Sequence, residues 1–534
     1  MKEAGFSKDL YLSKSRYCSG VQCPKMLWMK KYREDDFDKS VVNTAVVEAG
    51  SQIGDLAMGY FGPFTEIPFG KLSDMMKATY AEIKKGTHVI CEASFEYNGL
   101  FCSVDILINH GNNEIDFYEV KSSKEHDDIK EVYYNDIAYQ YNILKHLGFK
   151  IRTANLMRIS STYVRHGDID IRQLFVCDDV TETVVEMQDV IQDNIVFLGD
   201  YLHEYDGDNE PDTPLSNGCF KPYPCGFFKY CSRNLPQPNV FNLAGVFGKG
   251  FNKTQQVEAY THGLVSFEDI KDNRQLTAKQ RLQVQHELTK DDKPYINEKN
   301  IRKFLDTLTY PLYFLDFETV MDGVPRFDNS APYSQIPFQY SLHYINKPGG
   351  TIYHKQYLAW PGYDPRRELA EQLCNDIPLN VCTTAYHMQF EKGRISELAE
   401  LFPDLCDHLM NIHKNIKDLE DPFRKGDYYK REFVGRSSIK VVLPGLFPDD
   451  PEMDYKNLEG VHNGGDAIAA YRAMSEMTDR NEIIKTRNQL LKYCYKDTYA
   501  MVGLLYKLYE AVGINDYLNL DPNLILEVTE EKNG

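Results

Sequence analysis

The sequence predicts an α/β chain with an N-terminal domain over 1–235, a short helical connector over 236–307 and a second α/β domain over 308–520. Three observations predict it. THVICEASFEY, LFCSVDILIN and IDFYEVKSS, between 87 and 123, alternate in polarity as neighbouring strands of one sheet do. A second α/β pattern opens with YFLDFETV at 313–320. Between the two patterns, residues 235–300 have little hydrophobic density and read as short helices. The chain has 534 residues. At about 150 residues per domain, that leaves room for roughly three domains.

The elements follow in order. Residues 1–33 read as helical and basic, with Lys2, Lys8, Lys14, Arg16, Lys25, Lys30, Lys31 and Arg33 against Glu3 and Asp9. EDDFD at 34–38 is an acidic loop, and VVNTAVVEAGSQIGDLAMGYF is an amphipathic helix. After the three strands, KEVYYNDIAYQYNILKHLG is a helix closed by Gly148 at its C-terminal cap. TANLMRISSTYV and DIRQLFVC read as strands, and TETVVEMQDVIQDNIVFLGDYL as one long helix. A turn-rich loop at 205–218 leads into a cysteine cluster. In the second domain a strand is expected at 336–345, followed by helices and loops to about 515.

Composition narrows the classes. A hydrophobic share of 42% and a charged share of 26% are ordinary for a globular chain. The net charge of −19 argues against a surface coated in basic residues but allows one local basic channel. MKEAGFSKDL has no apolar signal core, and no apolar run is long enough to span a bilayer. A cytoplasmic location without membrane contact is expected. There the twelve cysteines are reduced thiols or metal ligands rather than disulfides.

Asp316 and Glu318 interrupt the apolar strand at 313–320. Residues two apart on a strand share a face, so the two carboxylates point the same way. Like charges held that close repel unless a cation separates them. Oxygen ligands on a rigid strand suit Mg²⁺ or Mn²⁺. Two such ions about 3.5–4 Å apart promote phosphodiester cleavage. The plain alternative is a strand end with one acid solvated and the other in a salt bridge. LLKYCYKDTYAMVGLL adds Tyr493 and Asp497 one turn apart on a late helix, and TTAYHMQFEKGRISELAELF puts Glu391 at a helix start.

A D-x-E strand, an H-x-x-x-E segment and a Y-x-x-x-D helix together resemble the DEDD, DnaQ-like 3′–5′ exonucleases of the RNase H-like fold. The resemblance implies that Asp316, Glu318, Glu391 and Asp497 hold two metals and that Tyr493 orients the attacking water. The family's second motif usually carries Asp where this chain has Glu391, and Asp418 is a rival for that place. Between the motifs, DPFRKGDYYKREFVGRSSIK interleaves Arg424, Lys425, Tyr428, Tyr429, Lys430, Arg431, Arg436 and Lys440. This is either a path for a single strand or a solvated loop with packing tyrosines.

In the first domain, Asp105 lies on one strand and Glu119 and Lys121 on the next, across the turn HGNNE. Two acids beside a lysine suit a one-site nuclease centre; a cross-strand salt bridge is the plain alternative. With Gln140 on the following helix, the order resembles the PD-(D/E)XK, restriction-endonuclease-like fold of RecB-like nucleases. The resemblance implies catalytic Asp105, Glu119, Lys121 and Gln140, with metal on the two acids. Two features depart from the family. Leu144 stands where a Tyr usually follows the Gln, and Gly54 where an upstream His is often found, leaving Glu48 or Asp55 as substitutes.

Cys219, Cys225 and Cys231 follow closely in CFKPYPCGFFKYC, and CSGVQCPKMLW supplies Cys18 and Cys23 far upstream. Three near thiols and one distant thiol make a four-Cys site for Zn²⁺ or an iron–sulfur cluster. The arrangement resembles the iron–sulfur RecB-like nucleases, whose [4Fe-4S] cluster ties the ends of the nuclease domain together. The resemblance implies Cys23, through its CPKMLW context, with Cys219, Cys225 and Cys231 as ligands, and zinc as the alternative.

The join resembles a bacterial family in which a RecB-like nuclease precedes a DnaQ-like domain of poorly defined function. The resulting expectation is a metal-dependent nuclease acting on DNA, single-stranded or at ends, with two centres. A nucleic-acid-binding scaffold with one or both centres inactive and an RNA-processing exonuclease are the alternatives. Repair, phage defence, and a helicase or defence-system partner come from the resemblance alone.

Overall fold

The structure is a computed structural model that describes residues 12–42, 44–245, 250–289, 292–515 and 525–527. Lys2 and Lys8 of the basic N-terminal stretch lie outside them. The chain is mixed α/β and divides into two compact units. The first comprises Met1–Leu235 and Asp322–Ser334, and the second Pro236–Met321 and Gln335–Gly534. No described helix is long and apolar enough to cross a membrane.

The first unit carries strands β1 (Leu12–Ser13), β2 (Thr65–Glu66), β3 (Val89–Tyr97), β4 (Leu100–Gly111), β5 (Glu114–Lys124), β6 (Lys150–Ile159) and β7 (Phe175–Asp179). They form one sheet in the order β2-β3-β4-β5-β6-β7, with β1 pairing with β4. Strands β3, β4 and β5 are antiparallel, because short turns join them. Asn112 and Asn113 both take positive φ, 51° and 60°, in the β4–β5 turn. That is the backbone a two-residue hairpin matched to strand twist requires.

Its helices are α1 (Lys14–Gln22), α2 (Pro24–Tyr32), α3 (Thr44–Ala57), α4 (Leu72–Lys85), α5 (Glu131–His146) and α6 (Gln188–Glu204). Gly148, at φ 85°, follows α5 as the left-handed cap residue. The long helix expected from 181 is broken at Met187 into Thr181–Glu186 and α6. Helix α5 buries Ile137, Ala138, Ile143 and Leu144 in the same core as Phe95, Leu107 and Phe117. Val324 and Tyr333, from the distant segment 322–334, pack against a second core around Ile53, Ile106 and Met157. Arg165 anchors that segment by donating to the carbonyls of Pro325 and Arg326 at 3.0 and 2.7 Å.

The second unit has strands β8 (Leu312–Met321), β9 (Gln335–Ile345), β10 (Ile352–Leu358), β11 (Cys382–Ala385), β12 (Ile416–Asp418) and β13 (Ile525–Glu527). The sheet order is β12-β11-β8-β9-β10-β13. Strand β8 lies inside the sheet, antiparallel to β9 and parallel to β11. Its near-continuous burial follows from having neighbours on both sides. Its helices include α7 (Glu298–Leu305), α8 (Gln389–Leu401), α9 (Cys406–Asn415), α10 (Ile439–Leu446), α11 (Gly464–Met474) and α12 (Arg480–Ala511). The helical stretch after 236 clusters with this unit. A small antiparallel pairing of Tyr295–Ile296 with Tyr428–Tyr429 ties it in.

Candidate functional site

Two acidic centres and one thiol cavity emerge, each inside a single unit. In the second unit, alternation along β8 puts Asp316 and Glu318 on one face, and α12 brings Asp497 to them. Ligand oxygens of these three lie within 4.8 Å of one another, the only such group among the described residues. Glu391 sits in the first turn of α8, 2% exposed.

The electrostatics of this cluster are those of a site short of positive charge. Burial, then the charges of Asp497, Glu318 and Glu391, push the Asp316 carboxyl well above the usual range. Burial and Asp497 raise Glu318 to about 8, with Lys440 of α10 opposing. Burial raises Glu391 to about 8, and the Asp418 charge adds to it. Asp497 rises only to about 6, because burial is offset by hydrogen bonds from Tyr455 and Tyr493 and by Lys440. The Tyr455 hydroxyl donates to Asp497 Oδ1 at 2.5 Å. Among the described residues, Glu391 Oε2 is buried with no hydrogen-bond partner. An orphan carboxylate oxygen beside three converging carboxyls is a donor set that fits a hard divalent cation.

Asp418, the rival to Glu391, ends β12 and already accepts backbone N–H groups from His387 and Glu420, at 3.0 and 3.1 Å. Tyr455 and Lys440 are the additions that sequence reasoning did not single out for this centre. The stretch 421–440 proves to be mostly structural. Tyr428 and Tyr429 are core residues, 7% and 1% exposed. Arg431 is paired with Glu287 and Asp292, and Arg424 with Asp421. Burial of those rings in the second unit's core leaves them no face for a base, which favours packing tyrosines, one of the two alternatives left open for this stretch.

In the first unit, Asp105 of β4 and Glu119 and Lys121 of β5 meet Gln140 of α5. Gln140 Nε2 donates to Glu119 Oε2 at 2.6 Å, and Lys121 Nζ to Glu119 Oε1 at 2.7 Å. Lys121 also pairs with Asp136, one turn before Gln140. Asp105 Oδ2 accepts from the Val120 N–H at 2.7 Å.

Lys14, seen in the sequence only as part of a basic stretch, was not assigned to this site. Pairing of β1 alongside β4 delivers it to the site, where Nζ donates to both Glu119 oxygens at 2.7 and 2.8 Å. Burial alone would raise the Glu119 carboxyl, but the Lys121 and Lys14 ammoniums hold it well below its usual range. Asp105 is pushed up to about 7 by burial and by the Glu119 charge. Glu92 is a further addition. On β3, Glu92 takes φ 56° between Cys91 and Ala93, which stay in register with Ile106 and Val104 of β4. Burial raises its carboxyl, with the charges of Glu119, Glu66 and Asp55 contributing. Its only sequence signal was an acid inside an apolar run.

Cys23, Cys219, Cys225 and Cys231 line one small cavity of about 20 Å³. Cys18 is elsewhere and donates to Asp136 Oδ1 at 3.1 Å. Cys23 is both the last cap of α1 and the first of α2, where Pro24 opens the helix. Burial holds the Cys219 and Cys231 thiols up at about 11, so thiolates there need a compensating cation. Gly218 lets the two chain segments meet, since a Cβ on it would clash with the Gln22 carbonyl oxygen. Gln22 Nε2 in turn donates to the carbonyls of Gly218 and Tyr223, both at 2.8 Å. Gly218→Ala is expected to lower first-unit stability by about 1–3 kcal/mol. Urea denaturation of that unit checks it, and an unchanged midpoint would mean that the segments can part freely.

The chain is thus a two-unit α/β protein with a buried acidic centre in each unit and a thiol cavity in the first. A family model described as a domain of unknown function, DUF2779, matches residues 313–438. The match opens on β8 and takes in Asp316, Glu318 and Glu391 but ends before Tyr493 and Asp497. An uncharacterized protein of Mycoplasma genitalium, MG366, is 26% identical over 223 residues, covering 38% of this chain. The match spans 32% of that relative's length.

Proposed function

We propose that the chain is a metal-dependent nuclease that hydrolyses phosphodiester bonds of DNA, single-stranded or at ends. The reading gives the first unit a restriction-endonuclease-like, RecB-like fold and the second an RNase H-like, DnaQ-like fold. The observation that carries it is the Asp316, Glu318 and Asp497 group within 4.8 Å, with the orphan oxygen of Glu391 beside it. These four residues would hold Mg²⁺ or Mn²⁺. A divalent cation there supplies Lewis acidity and lowers the pKa of water. Tyr493, held by its bond to Asp497, orients the attacking water, and Tyr455 fixes the Asp497 carboxylate. Asp105 and Glu119 would hold metal in the first unit, with Lys121 facing charge that develops on the phosphate.

Four thiols lining one cavity support a [4Fe-4S] cluster, with zinc as the alternative. The cluster's role is structural: it joins Cys23 to the segment 219–231. Iron and acid-labile sulfide after anaerobic purification test this assignment, and bound zinc alone defeats it.

One observation favours a second reading for the first unit. Both Glu119 oxygens are already occupied by ammonium and amide donors, the state of a binding scaffold rather than a loaded metal site. Degradation of end-labelled single-stranded DNA with Mn²⁺ separates the readings, with RNA run alongside. If both centres cut, Asp316→Ala and Lys121→Ala each remove a distinct product pattern. Loss with Asp316→Ala only makes the first unit a binding platform. Intact DNA with degraded RNA converts the activity to RNA processing, and two intact polymers end the nuclease reading.

A further inference from the structure

A cavity of about 540 Å³ in the second unit is lined by Lys303, Lys392, Lys414, Lys417 and Lys425. These lysines come from separate segments. Lys303 lies on α7, Lys392 on α8, Lys414 on α9, Lys417 on the edge strand β12, and Lys425 just beyond the short helix Asp421–Arg424. Such convergence of cations is notable in a chain of net charge −19. The acids lining it offset this charge only in part, since five lysines face three carboxylates: Asp421 pairs with Lys425 and Arg424, Asp418 lies 3.7 Å from Arg424, and Asp427 accepts from Asn300 at 2.7 Å. Among the described residues, Lys303, Lys392, Lys414 and Lys417 enter no salt bridge. Like charges gathered in this way are relieved by a bound anion.

The cavity adjoins the acidic centre. Asp418 lines it, and Lys392 follows Glu391 directly on α8. Four unpaired ammoniums on separate segments are more than one small phosphate needs. Lysine binds phosphate as a point charge without reading a base. We propose that this cavity binds consecutive phosphates of a single-stranded nucleic acid and holds the strand beside the acidic centre. The inference rests on the nuclease reading and adds the route by which the polymer is held.

The test is the affinity of the full chain for labelled single-stranded DNA and RNA oligonucleotides against salt, by fluorescence anisotropy without added divalent metal. Each lysine–phosphate contact adds about 0.7 to the slope of log affinity on log salt. The Lys392→Ala/Lys414→Ala/Lys417→Ala variant should lose about 2 from that slope for both polymers. Its affinity should fall at least about tenfold. Lys417→Arg should keep the wild-type slope, and unchanged circular dichroism guards against misfolding. An unchanged slope in the triple variant overturns the proposal, as does wild type that fails to bind either oligonucleotide. Inorganic tripolyphosphate should compete; if it binds through these lysines while oligonucleotides do not, the site is one for a free polyphosphate and the strand route is wrong. Asp316→Asn separates the two readings. Full lysine-dependent binding with no cleavage by wild type keeps the cavity and removes the nuclease. Normal cleavage with an unchanged slope in the triple variant does the reverse.

Discussion

Asp316→Asn is expected to cost the second unit at least about 10²-fold in Mn²⁺-dependent cleavage while making the metal-free protein more stable. The rate follows from ligand loss, since even partners behind a metal ligand are worth about 10–100-fold. The stability gain follows from the charge balance. Glu318 and Glu391 are held near 8 and Asp497 near 6 in the fold. Unfolded carboxyls titrate near about 4. The folded state therefore binds more protons than the unfolded state between about pH 4 and 8, and its stability falls as pH rises through that window. Each pH unit of displacement corresponds to about 1.4 kcal/mol. Removing one charge relieves its neighbours, so the Asn variant should show a shallower fall. Mn²⁺ should flatten the wild-type curve, because bound cation favours the ionised acids. Hydrogen-exchange protection of α12, corrected for intrinsic rates, reads this between pH 5.5 and 8.5 with and without Mn²⁺. A flat metal-free curve would mean that the acids are solvated, and the cation site would lose its electrostatic basis.

The second large effect is expected at Glu119. Its side chain is 3% exposed, and those of Lys14 and Lys121 are 21% exposed. Glu119→Gln keeps the shape and removes the charge that both ammoniums share. Removing one partner from a buried ion pair costs about 3–5 kcal/mol. Lys121 keeps Asp136, but among the described residues Lys14 forms a salt bridge with no carboxylate besides Glu119. Adding Lys14→Met should therefore recover part of the loss, with a coupling of at least about 1 kcal/mol in a double-mutant cycle. Urea midpoints of the first unit supply the four corners. Strict additivity would show that Lys14 is held by solvent rather than by Glu119. Lys14→Met alone should raise Mn²⁺ affinity at this centre, because the metal no longer competes with a resident ammonium.

What the sequence made legible was whatever periodicity controls. Strand alternation placed Asp316 with Glu318 and Glu119 with Lys121. Helical spacing placed Tyr493 with Asp497. The positive-φ turn at Asn112 and Asn113 announced its hairpin. What stayed hidden depends on long-range placement. Tyr455 reaches Asp497 from a loop whose course no local pattern sets, and Lys14 reaches Glu119 because a two-residue strand pairs with β4. The lysine cavity draws one residue from each of several elements, so no window of sequence contains it. Tyr428 and Tyr429 stayed undecided for the opposite reason. Interleaved cations and rings look the same whether the rings face solvent or core, and only tertiary packing decides.

The membership of Asp322–Ser334 in the first unit bears on how the chain is born. A ribosome emits the whole of β8 before it emits the segment that carries Val324 and Tyr333 to the first core. The first unit thus waits, incomplete, while the second has already begun. Neither is a bead that can be snipped free at one peptide bond. A fragment ending at Leu235 would leave Arg165 without the carbonyls of Pro325 and Arg326, and the surface around Ile53 without its late-arriving cover. Synthesis of the two halves is interleaved by topology, and a chaperone meeting the nascent chain would find one core still uncovered and one sheet just begun.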